Sequence, residues 1–223
     1  MKLITDYVEA YDALFDGEGL VFERTAYERG GLSKRQCFEL FEKLAIPTPF
    51  HGTVKSMKEH RARNILAGLW PEEHNPWIVV YQDEYGHYGE GKLKVRLMEA
   101  EDSLYSSEFI PTTDADQGSI SYRMVRFGGL EYWLRYTSKD WRSNIDYSGL
   151  VISRRAGLPL FPGIDRILWG VDFLPSNRGL LAMDFNTCPY FDIIGKAYPE
   201  DRALYMDILE ETAELRPAYL KQF

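Results

Sequence analysis

Residues 169–186 alternate apolar and polar positions in two short runs around Asn177-Arg178-Gly179, the pattern of a β-hairpin. A three-residue loop usually ends in a glycine of positive φ. On that reading Ser176 pairs with Leu180 and Asp172 lies directly opposite Asp184. Side chains alternate faces along a strand, so Asn186 joins the face of Asp184. Val171, Phe173, Leu181, Met183 and Phe185 then form the opposite, apolar face. Upstream, apolar runs and alternation predict strands over 77–81, 92–98, 104–110, 119–127, 130–138 and 150–153. Gly128-Gly129 marks a two-residue hairpin between two of them.

Helical spacing shows elsewhere. Residues 3–15 predict an amphipathic helix stopped by Gly17 and Gly19, followed by a short strand at 20–23. Ser33-Lys-Arg-Gln36 has the form of a capping box. It opens a helix with Cys37, Phe38, Phe41 and Leu44 on one face, ended by Pro47 and Pro49. Residues 200–216 predict a closing helix, broken by Pro217. Helices, then many antiparallel strands, then a helix argue an α+β fold rather than a doubly wound sheet. Breaks at 71–76 and 112–118 bracket a small subdomain.

Composition narrows the classes. A chain of 223 residues with 45% apolar content has room for a substantial core. A net charge of −8 argues against a nucleic-acid coating role. Cys37 and Cys188 stand far apart, form no metal-ligand pair, and fit a reducing cytoplasmic compartment. The N-terminus has no signal-peptide apolar block, and no run approaches the roughly 18 residues of a membrane span.

Two carboxylates facing each other across a hairpin repel. A divalent cation between Asp172 and Asp184, with Asn186 beside them, would remove the repulsion, and three hard oxygen donors suit Mg²⁺. A polar face turned to solvent is the ordinary alternative. Lys34 and Arg35 occupy the first turn of their helix, the wrong end for cations by roughly 0.3–1 kcal/mol each. Arg123 projects on the side of apolar neighbours, where a charge has a partner, so a structural ion pair stands beside any functional role. Gly86-His-Tyr-Gly-Glu-Gly-Lys92 could lay backbone N–H groups over phosphates, although tight turns use glycine too.

Taken in order from Ser33 to Gly195, these segments resemble the ATP-grasp superfamily, most closely the ribosomal-protein glutamate ligases among the carboxylate–amine ligases. Asp172, Asp184, Asn186 and Pro189 stand where that family has Asp, then Glu-x-Asn and Pro. Asp140-Trp-Arg-Ser-Asn144 is similar to its Phe-Arg-Ser-Asn loop, and Ser107-Glu-Phe-Ile110 to its hinge strand beside adenine. Tyr122-Arg123 resembles the end of its Asp-x-Arg, and Lys34 its phosphate-reaching helix lysine. Tyr81 stands where the lid strand usually carries lysine, which leaves Lys92, rather than Lys94, to approach the phosphates.

The resemblance implies an ATP-grasp fold with three parts: a helical segment at 1–49, a small lid subdomain at 50–112 and an antiparallel-sheet core at 113–223. It implies an ATP- and Mg²⁺-dependent ligase acting through an acyl phosphate. Asp172, Asp184 and Asn186 would hold the metal. Lys34, Lys92, Glu108, Phe109 and Arg123 would bind nucleotide, and Arg142 and Asn144 would serve catalysis. The partners implied are small-molecule or peptide carboxylates and amines, with neither nucleic acid nor membrane. A protein partner replacing the family's N-terminal domain is a further expectation. A non-catalytic ATP-grasp remnant is the competing reading, and a phosphate-transferring variant a third.

Overall fold

The computed structural model describes residues 32–85, 91–113, 118–143, 145–161, 168–186, 189, 191–205 and 207–208. The expected helix at 3–15, the strand at 20–23, most of the glycine loop, Asn144, Cys188 and the closing helix beyond 208 lie outside the described residues.

Helix α1 (Lys34–Lys43) starts as its sequence dictates. Gln36 N donates to Ser33 Oγ at 3.2 Å and Ser33 N donates back to Gln36 Oε1 at 2.9 Å, a reciprocal capping box. Cys37, Phe38 and Phe41 are its buried face. The chain then forms β1 (His51–Thr53), α2 (Val54–Leu66), β2 (Trp77–Tyr81), β3 (Lys92–Arg96), a 3₁₀ turn (Leu97–Glu99) and β4 (Tyr105–Glu108). Residues 97–98, expected to extend β3, form that turn instead. The four strands pair antiparallel in the order β1-β4-β2-β3. Helix α2 has no counterpart in the sequence expectation. It buries only Val54 and Met57, so its amphipathic signal is faint, although Thr53 caps it by accepting from Ser56 N at 3.2 Å.

The second sheet contains β5 (Ser119–Phe127), β6 (Leu130–Ser138), β7 (Tyr147–Ala156), β8 (Leu168–Ser176) and β9 (Gly179–Asn186) in the order β7-β6-β5-β8-β9. Strand β7 is longer at both ends than the expected 150–153. On one face Val125, Phe127, Tyr132 and Leu134 pack against Phe191, Ile194 and Tyr205, around the short helix α3 (Asp192–Ala197). On the other, Met124, Trp169, Val171 and Phe185 pack against the buried face of α1. The fold is therefore α+β, with helices flanking two antiparallel sheets. Among the described residues no helix is long and apolar enough to cross a membrane.

The β8–β9 hairpin corrects one expectation and explains why another held. Ser176 pairs with Gly179, not Leu180, so the loop is the two-residue Asn177-Arg178, and Gly179 has φ 97°. A bulge follows: Phe173 pairs with Ala182, Asp172 with Asp184, and Met183 is left over. The shorter turn and the extra residue cancel, and the two carboxylates end in register. Deeper in the strand Gly170 permits close packing, since a Cβ there would lie 3.1 Å from Met124 O and 3.2 Å from Pro189 Cβ.

Ser33→Ala removes one half of the capping box and should lower the unfolding free energy by about 1 kcal/mol. Urea denaturation measures it, and Ser33→Thr should recover most of the loss.

Candidate functional site

The two sheets face each other across a small cavity. Lys34 reaches it from α1, Tyr81 from β2 and Lys92 from β3. Glu108 and Phe109 come from the end of β4, and Arg142 from the turn after β6. Asp172 and Asp184 come from the central hairpin. Seven of the expected site residues therefore line one cavity, drawn from separate parts of the chain. Arg123 and Asn186 are not among its lining residues, and Asn144 lies outside the described residues.

The opposed carboxylates are each neutralised by a cation. Lys34 Nζ stands 2.5 Å from Asp184 Oδ2 and donates to Met183 O at 3.3 Å. Arg123 grips Asp172 with two bonds, Nε to Oδ1 at 2.5 Å and Nη2 to Oδ2 at 2.8 Å. The sequence reading offered a divalent cation or a solvated face as relief for this repulsion; in the structure Lys34 and Arg123 relieve it. Arg123 is an ion-pair partner to Asp172, with its guanidinium 5.4 Å from the centre of the Tyr136 ring. The cost of placing Lys34 at a helix N-terminus is offset by the same carboxylate.

Burial shapes the charges further. Burial alone would raise the Asp184 carboxyl, but Lys34, Lys92 and Arg123 outweigh it and hold it below the ordinary range. Burial likewise opposes the charge on Lys34, and Asp184 more than compensates, so its ammonium persists above the ordinary lysine value. Lys92 gains no such partner. Burial first, then repulsion from Lys34, brings it down to about 8. Among the described residues no carboxylate lies within ion-pair distance of Lys92. Cys37, with Sγ 3.7 Å from Asp184 Oδ1, is pushed up to about 12 by burial and by that carboxylate, which marks it as a packed thiol rather than a nucleophile.

Around this centre the remaining side chains are already engaged. Tyr81, at the position expected to carry a lysine, shares a hydrogen bond with Ser107 Oγ at 2.8 Å. Arg142 makes two bonds to Asp140, at 2.9 and 3.0 Å. Phe109 meets the edge of Trp141 at 6.0 Å, and Lys94 Nζ sits 3.7 Å from the Phe109 ring centre. Glu108 is bonded by Arg178 at 2.5 Å. The sequence reading assigned no role to Trp141, Thr112, Ser121 or Met183, all of which line the cavity. Met183 was expected on the apolar face, and the bulge turns it into the site. Phe173, expected on that same face, lines the cavity as well.

The donor set meets the chemical requirement for a hard cation: two facing carboxylates in one cavity, with Asn186 two residues along β9 from Asp184. Among the described residues the Asn186 side-chain Nδ2, a donor and not a cation ligand, is buried without a hydrogen-bond partner. Among the described residues no group of three or more His, Cys, Asp or Glu forms a metal cluster. The cavity encloses about 80 Å³, well below the roughly 300–1,000 Å³ of ligand pockets.

No protein-family model matches this chain, and no curated protein does either. Solved structures do. D-alanine–D-alanine ligase from Bacillus anthracis, complexed with ATP, superposes with a TM-score of 0.51 at 12% identity, covering 86% of this chain and 70% of the ligase. A second structure of the same enzyme gives 0.51 at 14% identity, over 86% of this chain and 71% of the ligase. At such identities the likeness is one of fold.

Two predictions follow from the charge arrangement. Lys34→Met leaves Asp184 without its closest cation and should cost about 2 kcal/mol, less than the 3–5 of a fully buried pair because Asp184 is 34% exposed. The Asp184 contribution is complete above the ordinary carboxylate value of 3.8 and lost as pH falls through the lower folded value. The variant's stability curve should therefore be flatter than the wild type's below about pH 4; urea midpoints across pH measure both effects. Separately, amine-reactive labelling followed by peptide mass mapping should show Lys92 titrating near 8. A lysine that labels only above pH 10 would contradict the burial argument.

Proposed function

The chain has the ATP-grasp fold, and from that premise we propose that it is an ATP- and Mg²⁺-dependent ligase joining a carboxylate to an amine. One observation carries the reading: a single cavity between the sheets gathers paired carboxylates, two lysines and an aromatic hinge. An oxygen of the substrate carboxylate attacks the γ-phosphorus and the bond to the bridging oxygen breaks, releasing ADP. The amine nitrogen then attacks the acyl carbon, loses its proton and displaces phosphate. The protein's contribution is positioning and charge neutralisation.

In this scheme Lys34 and Lys92 neutralise phosphate oxygens, and among the described residues Lys92 has no carboxylate within ion-pair distance. Glu108 and Phe109 flank the adenine. Arg142 meets charge on the acyl phosphate, which requires it to share or leave Asp140. Asn144 keeps its role from the sequence resemblance. Asp172, Asp184 and Asn186 would hold Mg²⁺, whose chemistry is to offset charge on the triphosphate. Lys34 and Arg123 hold those carboxylates meanwhile, so loading exchanges one set of cations for another. The closer kinship with ribosomal-protein glutamate ligases, the cytoplasmic location and a partner protein completing the acceptor site belong to the proposal too.

The second reading, a non-catalytic nucleotide-binding remnant, is favoured by one feature. Both carboxylates are satisfied inside the protein, by Lys34 and Arg123.

Binding and turnover measurements test these readings. ATP with Mg²⁺ should raise the melting temperature, by about 2.7 kcal/mol of stabilisation at 100 times the dissociation constant. ADP release should then accelerate only with a matching carboxylate and amine. Tight ATP binding with no such pair selects the remnant, and no ATP binding removes both readings. Lys92→Ala should weaken ATP binding more than Lys94→Ala. Wild-type affinity should fall as pH rises through about 8, where Lys92 loses its proton, and Lys92→Met should abolish that dependence. Asp184→Asn should remove the Mg²⁺ dependence of binding, and its melting curve checks that the fold survives.

A further inference from the structure

A second cavity, of about 550 Å³, lies against α2, the 70–77 connection and the hinge, on the far side of Glu108 and Phe109 from the first. Its volume falls within the range of small-molecule sites. Its walls are rings: Phe50, His60, Trp70, His74, Trp77 and Phe109. Phe50 stacks on His60 at 4.2 Å, His60 meets Trp70 edge-on at 5.6 Å, and Trp70 lies 4.5 Å from His74. Arg61, bonded to the His74 and Glu72 carbonyls, ties the connection to α2 and keeps these rings in place. Met57, Ile78 and Leu97 supply an apolar floor.

Also among the lining residues is an ion pair, Arg178 Nη2 to Glu108 Oε2 at 2.5 Å, with side chains 48% and 38% exposed. An exposed pair contributes little, so a ligand separates it at small cost. A ligand of single charge would satisfy one partner and strand the other. A zwitterion satisfies both. Ring walls favour a planar aromatic body by stacking and edge contacts.

We propose that this cavity binds a free aromatic α-amino acid: its ring among Trp70, His60 and Trp77, its carboxylate on Arg178, its ammonium on Glu108. Lys34, Lys92, Asp172 and Asp184 are not among its lining residues, so the site is separate from the candidate nucleotide cavity. Glu108 and Phe109 line both, so the two sites share a wall. The proposal stands whether or not the protein is a ligase.

Isothermal titration calorimetry on the full chain tests it, with L-phenylalanine as the probe. L-leucine tests the need for a ring, and N-acetyl-L-phenylalaninamide, which mimics an aromatic residue inside a peptide, tests the need for a zwitterion. L-phenylalanine should bind, and both comparison compounds should bind at least roughly tenfold more weakly. Trp70→Leu and Arg178→Gln should each weaken L-phenylalanine by about the same factor. No binding up to about 10 mM overturns the proposal, as does equal binding of either comparison compound. Undiminished binding to Arg178→Gln overturns it as well. Should Trp70→Leu fail to fold, Arg178→Gln, changed in an exposed turn, decides alone.

Discussion

The structure depends on one electrostatic constraint: two carboxylates, Asp172 and Asp184, held in register across a hairpin. Each must be compensated wherever the chain leaves it without water. Arg123 from the adjacent strand β5 answers one, and Lys34 from α1 answers the other. The second answer is long-range. It pulls the start of α1 over edge strand β9, and Ala182 N donates to Pro47 O at 2.8 Å on the same edge. A sheet edge that would otherwise be open to pairing is covered by the segment that carries the compensating lysine. Packing of Cys37, Phe38 and Phe41 against the sheet then follows from the same placement.

The cluster is a chain of dependent charges rather than a set of independent pairs. Lys34 lowers Asp184 and, by repulsion, Lys92 as well. Anything that draws Lys34 away from Asp184 changes the protonation of both. An anionic ligand entering the cavity meets Lys92 as a group near its titration point, able to gain a proton and charge at little cost. That is the behaviour expected of a site whose charge state responds to occupancy, and it follows from burial without a counter-ion.

Much of this was legible in the chain, and the reasons are local. Ser33 and Gln36 declare a helix start because capping is a contact between residues three apart. The Asp172–Asp184 register was read from an assumed three-residue loop, and the outcome held because a compensating bulge restores it. The loop itself was misread. A three-residue turn, and a two-residue turn with a bulge, produce the same offset, and no residue in Phe173–Met183 announces the bulge. Helix α2 was missed because only Val54 and Met57 are buried, too few to mark a stripe. The ion pairs were legible only in part. Arg123 was read as needing some partner, but that Lys34 finds Asp184 depends on tertiary packing across the whole chain.

The distance along the chain between Lys34 and Asp184 has a consequence in time. Their contact joins residues at opposite ends of the described sequence, so it is among the last that synthesis permits. While the chain emerges, α1 and the four-stranded sheet exist before β8 and β9 do, and Lys34 has no carboxylate to meet. The cavity therefore has its lysines but not its aspartates until the C-terminal hairpin arrives. A nascent or truncated chain ending before Asp172 contains both lysines and the hinge aromatics, but neither of the aspartates that the finished cavity sets against those lysines. The arrival of the two aspartates completes the charge balance of the site.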